Sequence, residues 1–186
     1  MSRFRFVSTP LSGLQCVERF RFEDHRGFLS RLFCADEFSA AGFAMSVAQI
    51  NHTLTRSAGT VRGMHYQLPP FAEMKLVSCI RGRVFDVAVD LRAGSSTFLH
   101  WHGEILSPEN RRALAIPNGF AHGFQALDAD CELLYLHSAP YRPETEQALN
   151  VCDPRFNIDW PLPISEMSER DREHAILKKE FTGIVL

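Results

Sequence analysis

The chain is predicted to be all-β, a sandwich or barrel, and three observations carry that expectation. Short apolar or alternating stretches recur roughly every ten residues with Gly, Pro, Asn and Ser turn signals between them. No long helical period occurs before the C-terminal end. Fifteen Phe among 186 residues supply the aromatic bulk that fills sandwich cores. At this length residues 1–186 form a single domain with volume for its own core.

Residues 3–7 and 14–22 alternate or run apolar around Pro10 and Gly13 and read as the first strands. In Asp24-His25-Arg26-Gly27 a glycine flanked by charge permits a turn or bulge that points Arg26 away from the core. Residues 36–41 predict a short helix, stopped by Gly42. Residues 47–54 alternate with period two and put Gln49 and Asn51 on one face. Two such amides either face solvent or, turned inward, need partners such as a polar ligand. Residues 59–82 are broken by Leu68-Pro69-Pro70. Proline cannot donate to a sheet ladder, so a hairpin of two short strands is expected, one carrying His65 and the other Lys75. Residues 83–91 are the cleanest strand, with Phe85, Val87 and Val89 on one face and Asp86, Ala88 and Asp90 on the other. Turn signals at 94–96 and 107–110 bracket a strand containing Trp101 and Ile105. Strands at 112–116 and 131–137 follow, and residues 165–177 predict one or two helical turns packed outside.

Composition excludes several classes. Twenty Lys and Arg against 22 Asp and Glu leave a net charge of −2, which gives no footprint for nucleic acid. No run approaches the ~18 apolar residues of a membrane span, and the N-terminus lacks the apolar core of a leader. Cys16, Cys34, Cys79, Cys131 and Cys152 contain no C-x-x-C, so neither a zinc knuckle nor a redox pair is expected. A cytoplasmic protein with reduced thiols, no membrane partner and no nucleic-acid partner is the resulting expectation.

The residues that carry chemistry cluster in residues 59–82 and near the C-terminus. A neutral imidazole such as His65 takes a proton near pH 7, and a lysine ammonium such as Lys75 stabilises an oxyanion. Asp171 offers a carboxylate to fix the imidazole's tautomer, and Tyr135 offers an acid to return the proton from the opposite side. Singly, each has an ordinary structural explanation: a hydrogen-bonded core histidine, a solvated lysine, a core tyrosine, a surface aspartate. Their combination fits proton abstraction beside a carbonyl.

Pro117-x-Gly119-x-x-His122 matches the second half-motif of the cupin superfamily, a jelly roll or double-stranded β-helix. Metal-binding cupins hold their ion with two His and a Glu from the first half-motif and a later His. Here His65 is retained, but Gln67 stands in the second His position and Lys75 in the Glu position. A fixed cation where a metal needs an anion, and an amide where it needs an imidazole, argue against metal binding. No metal and no cofactor are expected, with a metal-dependent cupin as the competing reading.

Longer strings carry a closer resemblance: D-H-R-G-F, Q-I-N-H-T, T-V-R-G-M-H-Y-Q-L-P-P, K-L-V-S-C-I-R-G-R-V-F-D-V-A-V-D-L-R, I-P-N-G-F-A-H-G-F, Y-R-P-E-T-E, D-W-P and S-E-R-D. From about Phe22 to Asp171 the sequence resembles the dTDP-4-dehydrorhamnose 3,5-epimerases and related nucleotide-sugar epimerases. The resemblance implies a cupin-type jelly roll with a few short peripheral helices. It implies epimerisation at C3 and C5 of dTDP-4-keto-6-deoxy-D-glucose in dTDP-L-rhamnose or related deoxysugar biosynthesis, with a C3-only or C5-only mono-epimerase as the alternative. His65 is then the base, hydrogen-bonded to Asp171. Tyr135 is the opposing acid, Lys75 sits at the enolate oxygen, and His122 lines the sugar pocket. Arg26 and Arg62 are implied near the diphosphate, Gln49 and Asn51 as ligand contacts, Tyr141 as the stacking aromatic, and Glu146 and Arg170 as further nucleotide contacts. The small-molecule nucleotide sugar is the implied partner, together with a second copy of the chain in a metal-free homodimer that exchanges N-terminal strands. One departure stands out: Arg31 occupies a position where the family pattern carries Glu, which implies altered base or sugar preference.

Overall fold

The computed structural model describes residues 2–186, which form thirteen strands and two short helices. The strands are β1 (Phe4–Ser8), β2 (Gln15–Arg19), β3 (Arg21–Asp24), β4 (Gly27–Ser30), β5 (Gln49–Thr55), β6 (Val61–Gln67) and β7 (Lys75–Arg81). They continue as β8 (Val84–Asp90), β9 (Trp101–Leu106), β10 (Arg112–Ile116), β11 (Phe120–Ala126), β12 (Cys131–His137) and β13 (Glu146–Ala148). The helices are α1 (Ala35–Ala40) and α2 (Glu169–Glu173).

One sheet runs β1-β2-β10-β7-β12-β5, the other β13-β6-β11-β8-β9, and β3 and β4 form a separate hairpin. The sheets pack face to face as a cupin-type jelly roll. Val77, Leu114 and Leu133 of the first meet Val84, Phe120 and Phe124 of the second in a shared core. Each sheet is also covered outside. α1 lays Phe38 beside Phe43, Met45 and Phe4 on the six-stranded sheet. The C-terminal segment lays Val151, Phe156, Ile158 and Ile184 on the five-stranded sheet. That double coverage explains why β8 is apolar on one face and still buried on both.

Most predicted strands are present within a residue or two of their expected ends, and 36–41 forms α1 one residue earlier, but the stretch 14–22 breaks at Phe20 into β2 and β3, which belong to different sheets. Three readings are corrected. β6 and β7 are not a hairpin but belong to opposite sheets, because the Pro69-Pro70 break lets the chain cross the sandwich. The C-terminal turn is not merely external, since α2 buries Asp171 to 5 % exposure. β13 is an extra three-residue edge strand on β6, too short and polar to show a period.

A close backbone approach sets the site. Gly63 of β6 has φ +129°, and a Cβ there would lie 2.6 Å from Cα of Gly123 in β11. Only a glycine fits, and the two strands close on each other. Register shifts just beyond, between His122 and Phe124, so that His122 sits directly opposite His65.

Candidate active site

A cleft of about 500 Å³ opens between the sheets. The five-stranded sheet supplies His65, Arg62, His122 and Phe124 to its wall, and the six-stranded sheet supplies Gln49, Asn51, Lys75 and Tyr135. Period-two alternation puts His122 and Phe124, and likewise Gln49 and Asn51, on the inward face of their strands, whereas Arg62 and His65, three residues apart, share that face only because the register shifts between them. α2 closes the mouth with Arg170 and Asp171. Its N-cap Ser168 accepts the backbone N–H of Asp171 at 3.0 Å, which fixes the carboxylate over β6.

His65 Nε2 lies 2.8 Å from Asp171 Oδ1. A carboxylate only accepts, so Nε2 carries the proton and Nδ1 keeps its lone pair. Burial pushes the Asp171 carboxyl up, but the His65 hydrogen bond and charge and the Gly63 N–H outweigh it and hold the group below the usual carboxylate range. Asp171 is therefore an anion that fixes the imidazole.

Lys75 enters from the opposite sheet, buried, with Nζ 3.2 Å from Glu73 Oε1 and 3.4 Å from the carbonyl oxygen of His65. Three N–H donors serve two protein acceptors, which leaves one donor for an oxygen in the cleft. Tyr135 is also buried, and its ring meets His122 edge-on at 5.9 Å. Burial, then the nearby Asp86 charge, raises its phenol, so it stays protonated and able to donate. His122 Nε2 donates in turn to Asp86 Oδ1 at 2.8 Å.

The residues expected on the nucleotide side fall into two groups. Tyr141 OH donates to Glu146 Oε2 at 2.8 Å, and Arg170 ion-pairs with the same oxygen. Arg62 lines the cleft and donates to Thr55 Oγ1 and the carbonyl of Leu54. Arg26 does not reach the cleft of its own chain. It sits on the β3–β4 hairpin, its side chain 78 % exposed and ion-paired with Asp24. Arg31 is likewise remote and pairs with Glu37 of α1 at 3.0 Å.

Gln67, in the second His position of the cupin pattern, is fully engaged. Its amide donates to the carbonyls of Phe71 and Pro140, and its oxygen accepts the Arg142 N–H at 2.7 Å. It braces loops and leaves no atom for an ion. Among the described residues, His65, Asp171 and His174 do have metal-ligand spacing, with donor atoms within 4.8 Å of one another. That group lies at the mouth and includes only His65 of the cupin ligand positions.

Several cleft residues were not anticipated from the sequence: Glu73, His137, Thr53, Phe124 and Glu166 line it, and Asp86 lies beneath His122. His137 has a usable signal, since it stands two residues from Tyr135 on β12 and so shares its face, whereas Glu73 lies in the loop before β7, where no period applies. Asp86 was placed on the face opposite Phe85, but nothing local marked His122 as its partner.

A jelly roll whose inter-sheet cleft sets an oriented imidazole against a lysine and a protonated tyrosine has the layout of an acid–base isomerase. Residues 8–179 match the family model described as dTDP-4-dehydrorhamnose 3,5-epimerase. The chain is 47 % identical over 155 residues to a dTDP-4-dehydrorhamnose 3,5-epimerase of Pseudomonas aeruginosa, covering 82 % of this chain and 84 % of that one. It is 39 % identical over 155 residues to a dTDP-4-dehydrorhamnose 3-epimerase of Streptomyces niveus, covering 83 % and 74 %. It superposes with a TM-score of 0.88 and 38 % identity on a dTDP-6-deoxy-D-glucose-3,5-epimerase of Legionella pneumophila in complex with dTDP-4-keto-L-rhamnose, covering 93 % and 92 %. The chain belongs to the dTDP-4-dehydrorhamnose 3,5-epimerase family.

Proposed function

We propose that the chain epimerises C3 and C5 of dTDP-4-keto-6-deoxy-D-glucose by removing and returning protons beside the C4 ketone. One observation carries this reading: the fixed lone pair of His65 comes from one sheet, while the free Lys75 donor and the neutral Tyr135 hydroxyl come from the other. His65 Nδ1 takes the proton from carbon as Asp171 stabilises the imidazolium. Electrons move into the ketone, and Lys75 meets the growing charge on the C4 oxygen. Tyr135 delivers a proton to the opposite face of the enolate; between the two centres the His65 imidazolium gives its proton to solvent and the Tyr135 phenolate takes one back. Arg62, Tyr141, Glu146 and Arg170 hold the diphosphate and nucleotide end, with Gln49, Asn51 and His122 along the sugar.

Arg26 reaches a ligand only from a second copy of the chain. Exposed Phe20, Phe22, Phe28 and Leu29 surround it on the β3–β4 hairpin and its approach, which supports a homodimer in which this segment covers the partner's cleft. The engaged Gln67 amide and the Lys75 ammonium support metal-free catalysis. Five free cysteines fit a reducing cytoplasm, and among the described residues no helix is long and apolar enough to cross a membrane.

The 3-epimerase relative favours one alternative, a mono-epimerase with the same proton chemistry at C3 alone. Incubation with dTDP-4-keto-6-deoxy-D-glucose in D₂O separates the two. Deuterium at both C3 and C5 is expected; uptake at C3 alone establishes the mono-epimerase, and no uptake rejects this sugar as substrate.

A further inference from the structure

Glu73 and His137 have no part in the proton steps, yet both face the cleft and are nearly buried. His137 Nδ1 lies 2.8 Å from Glu73 Oε2, and the other oxygen of Glu73 lies 3.2 Å from Lys75 Nζ. On its far side, His137 Nε2 lies 3.4 Å from Asn51 Nδ2. Gln49 Nε2 donates to Asn51 Oδ1 at 3.1 Å, and Gln49 Oε1 accepts the backbone N–H of Tyr141 at 2.9 Å.

These contacts form one relay with a fixed direction. A backbone N–H can only donate, so Tyr141 forces Gln49 to present its oxygen there and its NH₂ to Asn51. Asn51 must then turn its oxygen to Gln49 and its NH₂ to His137. The imidazole therefore accepts at Nε2 and carries its proton on Nδ1, which it donates to Glu73. Burial pushes the Glu73 carboxyl up, but His137 and Lys75 more than offset it and keep the group below its ordinary value. Each link follows from the one before, from the nucleotide end of the cleft to the lysine. Each amide keeps one N–H free, a donor pair suited to oxygens of a phosphate or sugar. The His137 ring also stacks on Tyr135, with centroids 6.0 Å apart and planes at 22°.

We propose that Glu73 and His137 are positioning residues: Glu73 sets the Lys75 ammonium at the ketone, and His137 locks Asn51 and Gln49 with their donors turned to the ligand. This rests on the epimerase reading, and it makes the two ends of the site separable. Removing His137 frees the amides while Glu73 still holds Lys75; neutralising Glu73 loosens Lys75 while the amides keep their backbone anchor.

The test is steady-state kinetics on the full chain with dTDP-4-keto-6-deoxy-D-glucose for His137→Phe, which preserves the stacked ring, and Glu73→Gln, which preserves shape. His137→Phe is expected to raise KM about 3–10-fold, the worth of one hydrogen bond, with kcat held within about threefold. Glu73→Gln is expected to lower kcat about 10-fold or more while KM holds within about threefold. His137→Asn, which restores a donor to Glu73 without reaching Asn51, should keep the KM defect. Thermal melts of all three report the fold. Matched changes in kcat and KM that track loss of melting temperature would reduce the pair to a structural brace and overturn the proposal, as would kinetics unchanged in both variants. Absence of deuterium exchange in the unmutated chain would overturn the epimerase reading itself, a result separable from either.

Discussion

Two histidine–carboxylate pairs stand opposite each other across β6 and β11, alike in bond and unlike in setting. His65–Asp171 and His122–Asp86 both close at 2.8 Å through Nε2. At the mouth, the His65 side chain is 32 % exposed and its aspartate is held below the usual range. At the floor, Asp86 is 0 % exposed, and burial pushes its carboxyl up despite His122 and Lys75. A pair meant to exchange protons with a ligand needs access and an anion to receive the imidazolium; a pair that holds a wall needs neither. In the mechanism proposed above, the exposed pair carries the proton and the buried pair is a support. The supported object is Tyr135, whose ring rests edge-on against His122.

The sharpest way to break this division is His65→Asn. Loss of a general base is expected to lower kcat about 10³–10⁴-fold, with deuterium exchange abolished and nucleotide binding and melting temperature close to unchanged. Surviving exchange would place the base elsewhere. Tyr135→Phe should follow with a loss of about 10²-fold in epimerised product. Because His65 still removes the proton, exchange into recovered substrate should outlast inversion. If exchange and inversion fall together, Tyr135 does not act as the separate acid. His122→Phe tests the other pair. It strands Asp86, whose Oδ2 already lacks a partner, and is expected to cost about 3 kcal/mol of stability, read by denaturant titration. A stable His122→Phe variant with catalysis lost as fully as in His65→Asn would erase the distinction.

The division was only partly legible in the sequence. Strand positions followed from period two and turn chemistry, and His65, Lys75, Tyr135 and Asp171 followed from residue type and pattern. What failed was the path between strands. The Pro69-Pro70 break is the same letters whether the chain folds back or crosses to the other sheet, and only crossing sets Lys75 across the cleft from His65. Burial of Asp171 was hidden for a related reason: α2 is charged throughout, and the one side chain turned inward is selected by the Ser168 cap and the β6 backbone, not by helical period. Arg26 shows the opposite limit, a recognisable motif residue that its own chain keeps away from the cleft.

The finest test concerns sign rather than size. A carboxyl held below 3.8 in the fold contributes stability above 3.8 that is lost as pH falls through its lower folded value; this is Asp171. A carboxyl raised above 3.8 does the reverse, its contribution complete below 3.8 and lost as pH rises through its higher folded value; this is Asp86. Asp171→Asn should therefore lower stability at pH 7 by about 1.5 kcal/mol, the worth of a charged hydrogen bond, with the gap closing below pH 3.8. Asp86→Asn keeps an oxygen for the His122 N–H and removes a buried charge, so it should leave stability at pH 7 equal or higher, and the difference should fade in acid. Melting curves from pH 3 to pH 7 on both variants decide it. Opposite slopes confirm that burial and the extra hydrogen bonds to Asp171 separate the pairs, and parallel slopes would mean that the floor pair is charged and paired like the one at the mouth.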